Sequence, residues 1–208
     1  MNPGDGVYPC VLLAAGASSR MGRQKLLLPL GGETVIRHVA ENILQVARPL
    51  VVVTGREGAG ISSALCGLSD VIIADNPRWR EGMVSSAQTG IGSLLRICPD
   101  CPGFFLHHAD KPFVLPDVFQ ALAARASGDA RQVALIASRH GVAGHPVYFP
   151  SGYIPALMAI AGGERLKSVI DQLGGIQVEC DSDAVLEDID RPDDYRILAA
   201  KYGFACPD

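Results

Sequence analysis

The sequence predicts an α/β fold: three layers, doubly wound around a mainly parallel sheet, with a Rossmann-like nucleotide-binding half. Two observations predict it. Short, almost wholly apolar runs (Val11-Leu12-Leu13, Leu50-Val51-Val52-Val53, Val71-Ile72-Ile73, Phe104-Phe105-Leu106 and Val133 to Ala137) recur along the chain. Segments of helical periodicity alternate with them. Strands that are apolar on both faces belong to sheets covered on both sides, and regular alternation with helices favours parallel pairing.

Each element follows in order. Val11-Leu12-Leu13 reads as a buried strand, and the chain then breaks into the small residues Ala14 to Ser19. Leu26 to Leu30 is a short apolar run closed by Pro29 and Gly31-Gly32, a turn signal. From Thr34, Val35, Ile36, Val39, Ala40, Ile43, Leu44 and Ala47 form one face of a helix. The strand Leu50–Val53 ends at Thr54-Gly55. A helix over Ile61–Leu65, the strand Val71–Ile73 and a helix from Gly82 to Ile97 come next. The strand Phe104–Leu106, a helix over Pro116–Ala126 and the strand Val133–Ala137 follow. Pro146 lacks a ladder donor, so Gly144–Phe149 is expected to be an edge or active-site strand. Asp190 is expected to cap a last helix, with Pro192 in its first turn and Asp193 and Asp194 complementing the dipole.

The 208 residues fit one domain, 1–208, able to bury a sizeable core. A net charge of -4 argues against a nucleic-acid-binding surface. No run reaches the roughly 18 apolar residues of a membrane span, and residues 1–9 carry no signal-peptide pattern. Of the six cysteines, most sit in apolar runs or near element ends, which fits reduced thiols and a cytoplasmic location. Cys98 and Cys101 have C-x-x-C spacing without a second pair and read as a loop.

The stretch Leu13-Ala14-Ala15-Gly16-Ala17-Ser18-Ser19-Arg20-Met21-Gly22-Arg23-Gln24-Lys25 carries the strongest chemical signal. Small side chains let a loop backbone approach a ligand, and consecutive N–H groups form an anion-binding concavity. Arg20 and Lys25 add cations suited to a polyphosphate. Five residues separate Gly16 from Gly22, and Arg23 follows, so this is not a P-loop; the dinucleotide glycine fingerprint is also absent.

The stretch resembles the L-A-A/G-G-x-S-x-R-M-G-x-x-K signature of nucleotidyltransferases of the molybdenum cofactor type. Asn76-Pro77 with Gly82-Met83 and Ser85-Ser86 is similar to their N-P-x-x-x-x-G-M-x-x-S pattern. Ala109-Asp110-Lys111-Pro112 resembles G-D-x-P, with Ala109 in place of glycine. Gly144-His145-Pro146-Val147 is similar to G-H-P-V. Asp188-Ile189-Asp190-Arg191-Pro192 onward resembles D-I-D-T-P-E-D-Y. These motifs stand in family order and are those of the molybdenum cofactor cytidylyltransferases.

The resemblance implies a nucleotide-diphospho-sugar transferase type of fold and transfer of CMP from CTP to the phosphate of molybdopterin, the organic part of molybdenum cofactor, with release of pyrophosphate. It implies catalytic roles for Arg20, Lys25 and Asp110. Leu13, Ala14, Ala15, Gly16, Ser18, Ser19, Asn76, Gly82, Ser85 and Ser86 would bind the nucleotide. His145 would bind the acceptor, Asp110 and Asp190 would hold Mg²⁺, and a recipient molybdoenzyme would make transient contact. Strand alternation places His108 on the face of Asp110, with His107 opposite; both read as polar strand-end residues rather than metal ligands. Arg165 and Lys167 read as a solvated helix face. Ala15 in place of a glycine takes room at the base, which favours the smaller pyrimidine. GTP or another phosphorylated acceptor, and a non-enzymatic cofactor-binding accessory protein, are the alternatives.

Overall fold

The computed structural model describes residues 8–16, 21–22, 24–128, 132–161 and 163–205. Seven strands form one sheet in the order β5-β4-β1-β6-β8-β7-β9. These are β1 (Tyr8–Leu13), β4 (Ala47–Thr54), β5 (Val71–Asp75), β6 (Gly103–His108), β7 (Ala134–Arg139), β8 (Val142–Pro150) and β9 (Gly175–Glu179). The pairs β1–β4, β4–β5, β1–β6 and β7–β9 are parallel, and β8 alone runs against its neighbours β6 and β7. A two-stranded hairpin, β2 (Pro29–Leu30) and β3 (Glu33–Thr34), stands apart from it, its turn at Gly31-Gly32.

Strand alternation divides the core into two layers. Cys10, Leu12, Leu50, Val52, Phe105 and Tyr148 face one side. There they meet the buried faces of α1 (Val35–Leu44), α4 (Pro116–Gly128) and α7 (Pro192–Lys201). Val11, Val51, Val53, Phe104, Val147 and Phe149 face the other, against α3 (Met83–Ile97), α5 (Ile154–Ala159) and α6 (Leu166–Leu173). The period of two in the strands and of 3.6 in the helices is what makes both layers continuous. α2 (Gly58–Ala64) contributes Ile61 to the first layer. Thr34 caps α1 through its hydroxyl, which accepts from Arg37 N at 3.4 Å.

The structure corrects two expectations. Of the edge or active-site strand expected at Gly144–Phe149, the edge is excluded: β8 is interior, and its His145, Val147 and Phe149 line a cavity. Pro146 is accommodated because the β7–β8 register shifts between Ile136 and Ser138, and the β6–β8 ladder begins only at Val147. A proline without a donor is tolerated where the ladder is already broken. The residue at the N-cap of α7 is Arg191 rather than Asp190. The Asp194 carboxylate accepts from Arg191 N at 2.8 Å and from Asp190 N at 3.1 Å. Asp194 thus does the capping, and the Asp190 side chain is turned to another use. β9 and α5 lacked a clear sequence signal: β9 alternates exposed and half-buried positions, and α5 buries one leucine, Leu157.

Gly90 lies where α3 crosses the sheet. A Cβ there would meet Val11 Cγ1 at 2.3 Å and Val53 Cγ2 at 2.8 Å. Alanine gains about 0.8–1.0 kcal/mol in helix propensity, but overpacking costs about 1–3 kcal/mol. Gly90→Ala should therefore lower the urea midpoint at unchanged m-value; an unchanged or higher midpoint would show that the strands yield instead.

Candidate active site

The carboxyl ends of β1, β4 and β6 lie side by side, where ligands bind in open α/β sheets. The chain leaves β1 into the glycine loop still held on both sides. Ala14 N donates to Val53 O at 2.9 Å, and Ala109 N donates to Leu13 O at 3.1 Å. A cavity of about 680 Å³ opens there, lined by Leu13, Ala14, Ala15, Gly16, Lys25 and Leu26 from the loop side. Trp79, Arg80, Gly82, Met83 and Ser86 line it from the start of α3, and His108, Asp110 and Asp190 complete it. Ser18, Ser19 and Arg20 lie outside the described residues.

Lys25 opens a single 3-10 turn, Lys25–Leu27. Its ammonium donates to Asp110 Oδ2 at 2.7 Å and to Asp190 Oδ1 at 3.0 Å. The residue is only 9 % exposed. Burial alone would lower its pKa, but Asp110 and then Asp190 outweigh burial and hold it above its ordinary value. It is a cation throughout the neutral range. Asp190 reaches Asp110 because the segment before α7 is clasped to the turn after β6. Ile189 N donates to Asp110 O at 2.8 Å, and the buried Lys111 ammonium donates to Leu186 O at 2.9 Å. Asp188 belongs to the same cluster. Its carboxyl is raised first by burial and then by Asp110 and Asp190, with Lys111 pulling the other way.

The start of α3 is built by Asn76. Its amide donates to Ser85 Oγ and Ser86 Oγ, both at 3.0 Å, and its carbonyl accepts from Arg78 N at 3.0 Å. Asn76 is fully buried and does not line the cavity; it sets the helix start that presents Gly82 and Ser86 to it. Ser85 Oγ lies 2.9 Å from Gly82 O and lines a second, neighbouring cavity.

That second cavity, about 1240 Å³, shares Gly82, Met83 and His108 with the first. Its wall includes His145, Val147 and Phe149 of β8, and its rim includes Arg165 and Lys167 at the start of α6. The two cations are solvated, as the sequence suggests, yet they border a cavity. The His108 and His145 rings lie 4.0 Å apart at 30°. His108 Nε2, His145 Nδ1 and Asp110 Oδ1 are buried with no hydrogen-bond partner among the described residues. His107 points into the core instead, edge-on to Phe119 at 5.3 Å, its Nε2 3.4 Å from Lys111 O.

A divalent hard cation fits this chemistry. Magnesium takes one or two carboxylates and fills its remaining positions with phosphate oxygens and water. Asp110 brings an unpaired, buried carboxylate oxygen to the cavity, with Asp190 beside it. No group of three or more His, Cys, Asp or Glu that could hold a metal ion occurs among the described residues.

Trp79 and Arg80 escaped sequence reasoning. The signal lay in the N-P-R-W-R-E-G segment, where the only tryptophan of the chain stands between two residues already singled out, Asn76 and Gly82.

A glycine loop, a lysine and two carboxylates at the carboxyl edge of this sheet define the class. It is a nucleotidyltransferase of the nucleotide-diphospho-sugar transferase fold. A nucleotidyl transferase from Methanothermobacter shares the architecture, with a TM-score of 0.79 over 94% of this chain and 97% of that one at 22% identity. The chain belongs to the MobA-like NTP transferase domain family, which it matches over residues 10–177. It is 25% identical over 194 residues to the molybdenum cofactor cytidylyltransferase of Escherichia coli (strain K12), covering 93% of this chain and 96% of that protein. It is 29% identical over 200 residues to the purine catabolism protein PucB of Bacillus subtilis (strain 168), covering 90% and 94%.

The buried His107 makes the fold acid-sensitive. Desolvation first, then His108, brings its pKa down to about 3 from 6.5. The unfolded chain binds this proton near 6.5 and the folded one does not. The ring's stability contribution is therefore complete above 6.5 and is lost as pH falls from there toward 3. Unfolding free energy should drop by at most about 1.4 kcal/mol per pH unit for this ring over that window. In a denaturant series, His107→Phe should show a shallower decline; an equal slope would assign the acid sensitivity elsewhere.

Proposed function

We propose that the chain transfers CMP from CTP to the terminal phosphate of molybdenum cofactor, releasing pyrophosphate, and that it does so with Mg²⁺ in the cytoplasm. The observation that carries this reading is Lys25 bridging Asp110 and Asp190 on the wall of the first cavity. Its support is the cytidylyltransferase motif set, the family membership and the E. coli relative.

The first cavity takes the nucleotide. The loop N–H groups and Lys25 neutralise the triphosphate and the departing pyrophosphate. Arg20 is assigned to the same task from the motif alone. Asp110 and Asp190 would hold Mg²⁺, which when bound neutralises and orients phosphate oxygens. The acceptor enters from the second cavity, where His145 and His108 stand at the junction and Arg165 and Lys167 at the rim favour an anion. The acceptor phosphate already carries an oxyanion, so no side-chain nucleophile is needed: it attacks the α-phosphorus in line and pyrophosphate leaves. Ala15, buried in the wall of the first cavity, supports the preference for a pyrimidine; one methyl group discriminates modestly. The described cysteines are free thiols, and no described helix is long and apolar enough to cross a membrane, both compatible with the cytoplasm. The product would pass to a recipient molybdoenzyme.

Thermal unfolding with CTP, GTP, ATP or UTP and Mg²⁺ tests the nucleotide. A hundredfold excess over Kd adds about 2.7 kcal/mol. CTP should stabilise most, and Asp110→Ala should remove the magnesium dependence. A GTP-selective rise would keep the chemistry and overturn the base assignment. No rise with any of the four would overturn the reading. Lys25→Ala should lose pyrophosphate release by 10²-fold or more while remaining folded; full activity would remove Lys25 from the mechanism.

A further inference from the structure

Lys25, Asp110 and Asp190 have roles in the first cavity, and its Trp79 and Arg80 are left without one. Trp79 is the single tryptophan of the chain. It begins a 3-10 turn, Trp79–Glu81, set between β5 and α3, and it is half-buried. Two neighbours fix its place. Gly55 directly follows β4, and a Cβ there would come within 2.9 Å of both the Ala15 carbonyl oxygen and Trp79 Cβ and Cγ. The indole and the glycine loop thus meet across a position that only glycine leaves open. Arg80 lies with its guanidinium carbon 4.4 Å from the indole centroid, inside cation–π range. Trp79 N donates to Asn76 O at 3.2 Å, tying the same turn to the buried asparagine that sets the start of α3.

An aromatic ring held by its neighbours in a cavity wall offers what a nucleobase needs. Stacking uses the π-face, which every base has, and does not depend on its hydrogen-bonding edge. A guanidinium lying over the indole adds a cation–π contact that helps hold the ring. The triphosphate is drawn by Lys25 and the loop amides, so a base on the same nucleotide is free to use the aromatic wall. We propose that Trp79 is the stacking platform for the nucleobase in the first cavity, its indole held by the Arg80 guanidinium lying over it. The proposal rests on the reading of that cavity as a nucleoside triphosphate site. It makes the ligand's aromatic ring, and not its phosphates alone, a determinant of binding.

The single tryptophan makes the test direct. The full-length protein is titrated with CTP and, separately, with inorganic tripolyphosphate, both with Mg²⁺, while tryptophan emission is read and calorimetry reports binding. CTP should change the emission, and tripolyphosphate should bind without doing so. Trp79→Ala should weaken CTP roughly tenfold and leave tripolyphosphate affinity unchanged. Trp79→Phe, which keeps a ring, should recover most of the loss. CTP binding by calorimetry with unchanged emission, or wild-type CTP affinity in Trp79→Ala, would overturn the platform and leave the nucleotide site standing. Absence of binding by every nucleoside triphosphate would overturn both. Unchanged tripolyphosphate affinity also reports that the variants remain folded.

Discussion

One ammonium group holds the candidate site together. Asp110 and Asp190 stand 80 residues apart in the sequence, and Lys25 touches both. Two carboxylates gathered on one ammonium group repel each other. A buried lysine between them removes that penalty, and they in turn keep it charged where burial alone would favour neutrality. The same triad is matched to a polyphosphate: a fixed cation beside oxygens able to receive a metal. Binding and structural electrostatics are one arrangement here, so each of the three side chains depends on the other two.

Topology brings them there. β1 and β6 are adjacent and parallel, so their carboxyl ends deliver the glycine loop and Asp110 to the same edge. Asp190 is distant in sequence and has no strand to place it. It arrives through a clasp: Ile189 N on Asp110 O, Lys111 on Leu186 O, and Asp194 taking over the capping of α7. The Tyr195 hydroxyl then donates to Pro29 O and ties α7 back to the hairpin behind Lys25. Lys111, which stands at a variable position of the family motif, serves this clasp rather than the cavity.

Much of this was readable in the sequence, for identifiable reasons. Apolar strands such as Leu50–Val53 announce themselves because they are buried on both faces, and α1 because its stripe is regular. The motifs singled out Lys25, Asp110 and Asp190, and the structure brings the three side chains together. Alternation put His108, not His107, toward Asp110, as found. What failed was local inference where tertiary context decides. Pro146 argues for an edge only if its neighbours keep an unbroken ladder, and a register shift frees it for the interior. Asp190 is an excellent cap residue by type, but Asp194 does the capping. Asn76 belongs to the motif yet acts from beneath the cavity, through Ser85 and Ser86. Trp79 escaped because aromatic residues usually signal core, and nothing in its spacing says that it faces a cavity.

The proposed reaction requires a divalent ion to meet both carboxylates that Lys25 holds. The most direct measurement is anomalous diffraction from crystals grown with CTP and Mn²⁺ in place of Mg²⁺. The expected result is a manganese peak coordinated by Asp110 and Asp190 together with phosphate oxygens, with Lys25 against the triphosphate. A manganese bound elsewhere, or CTP seated with no metal on either carboxylate, would contradict it.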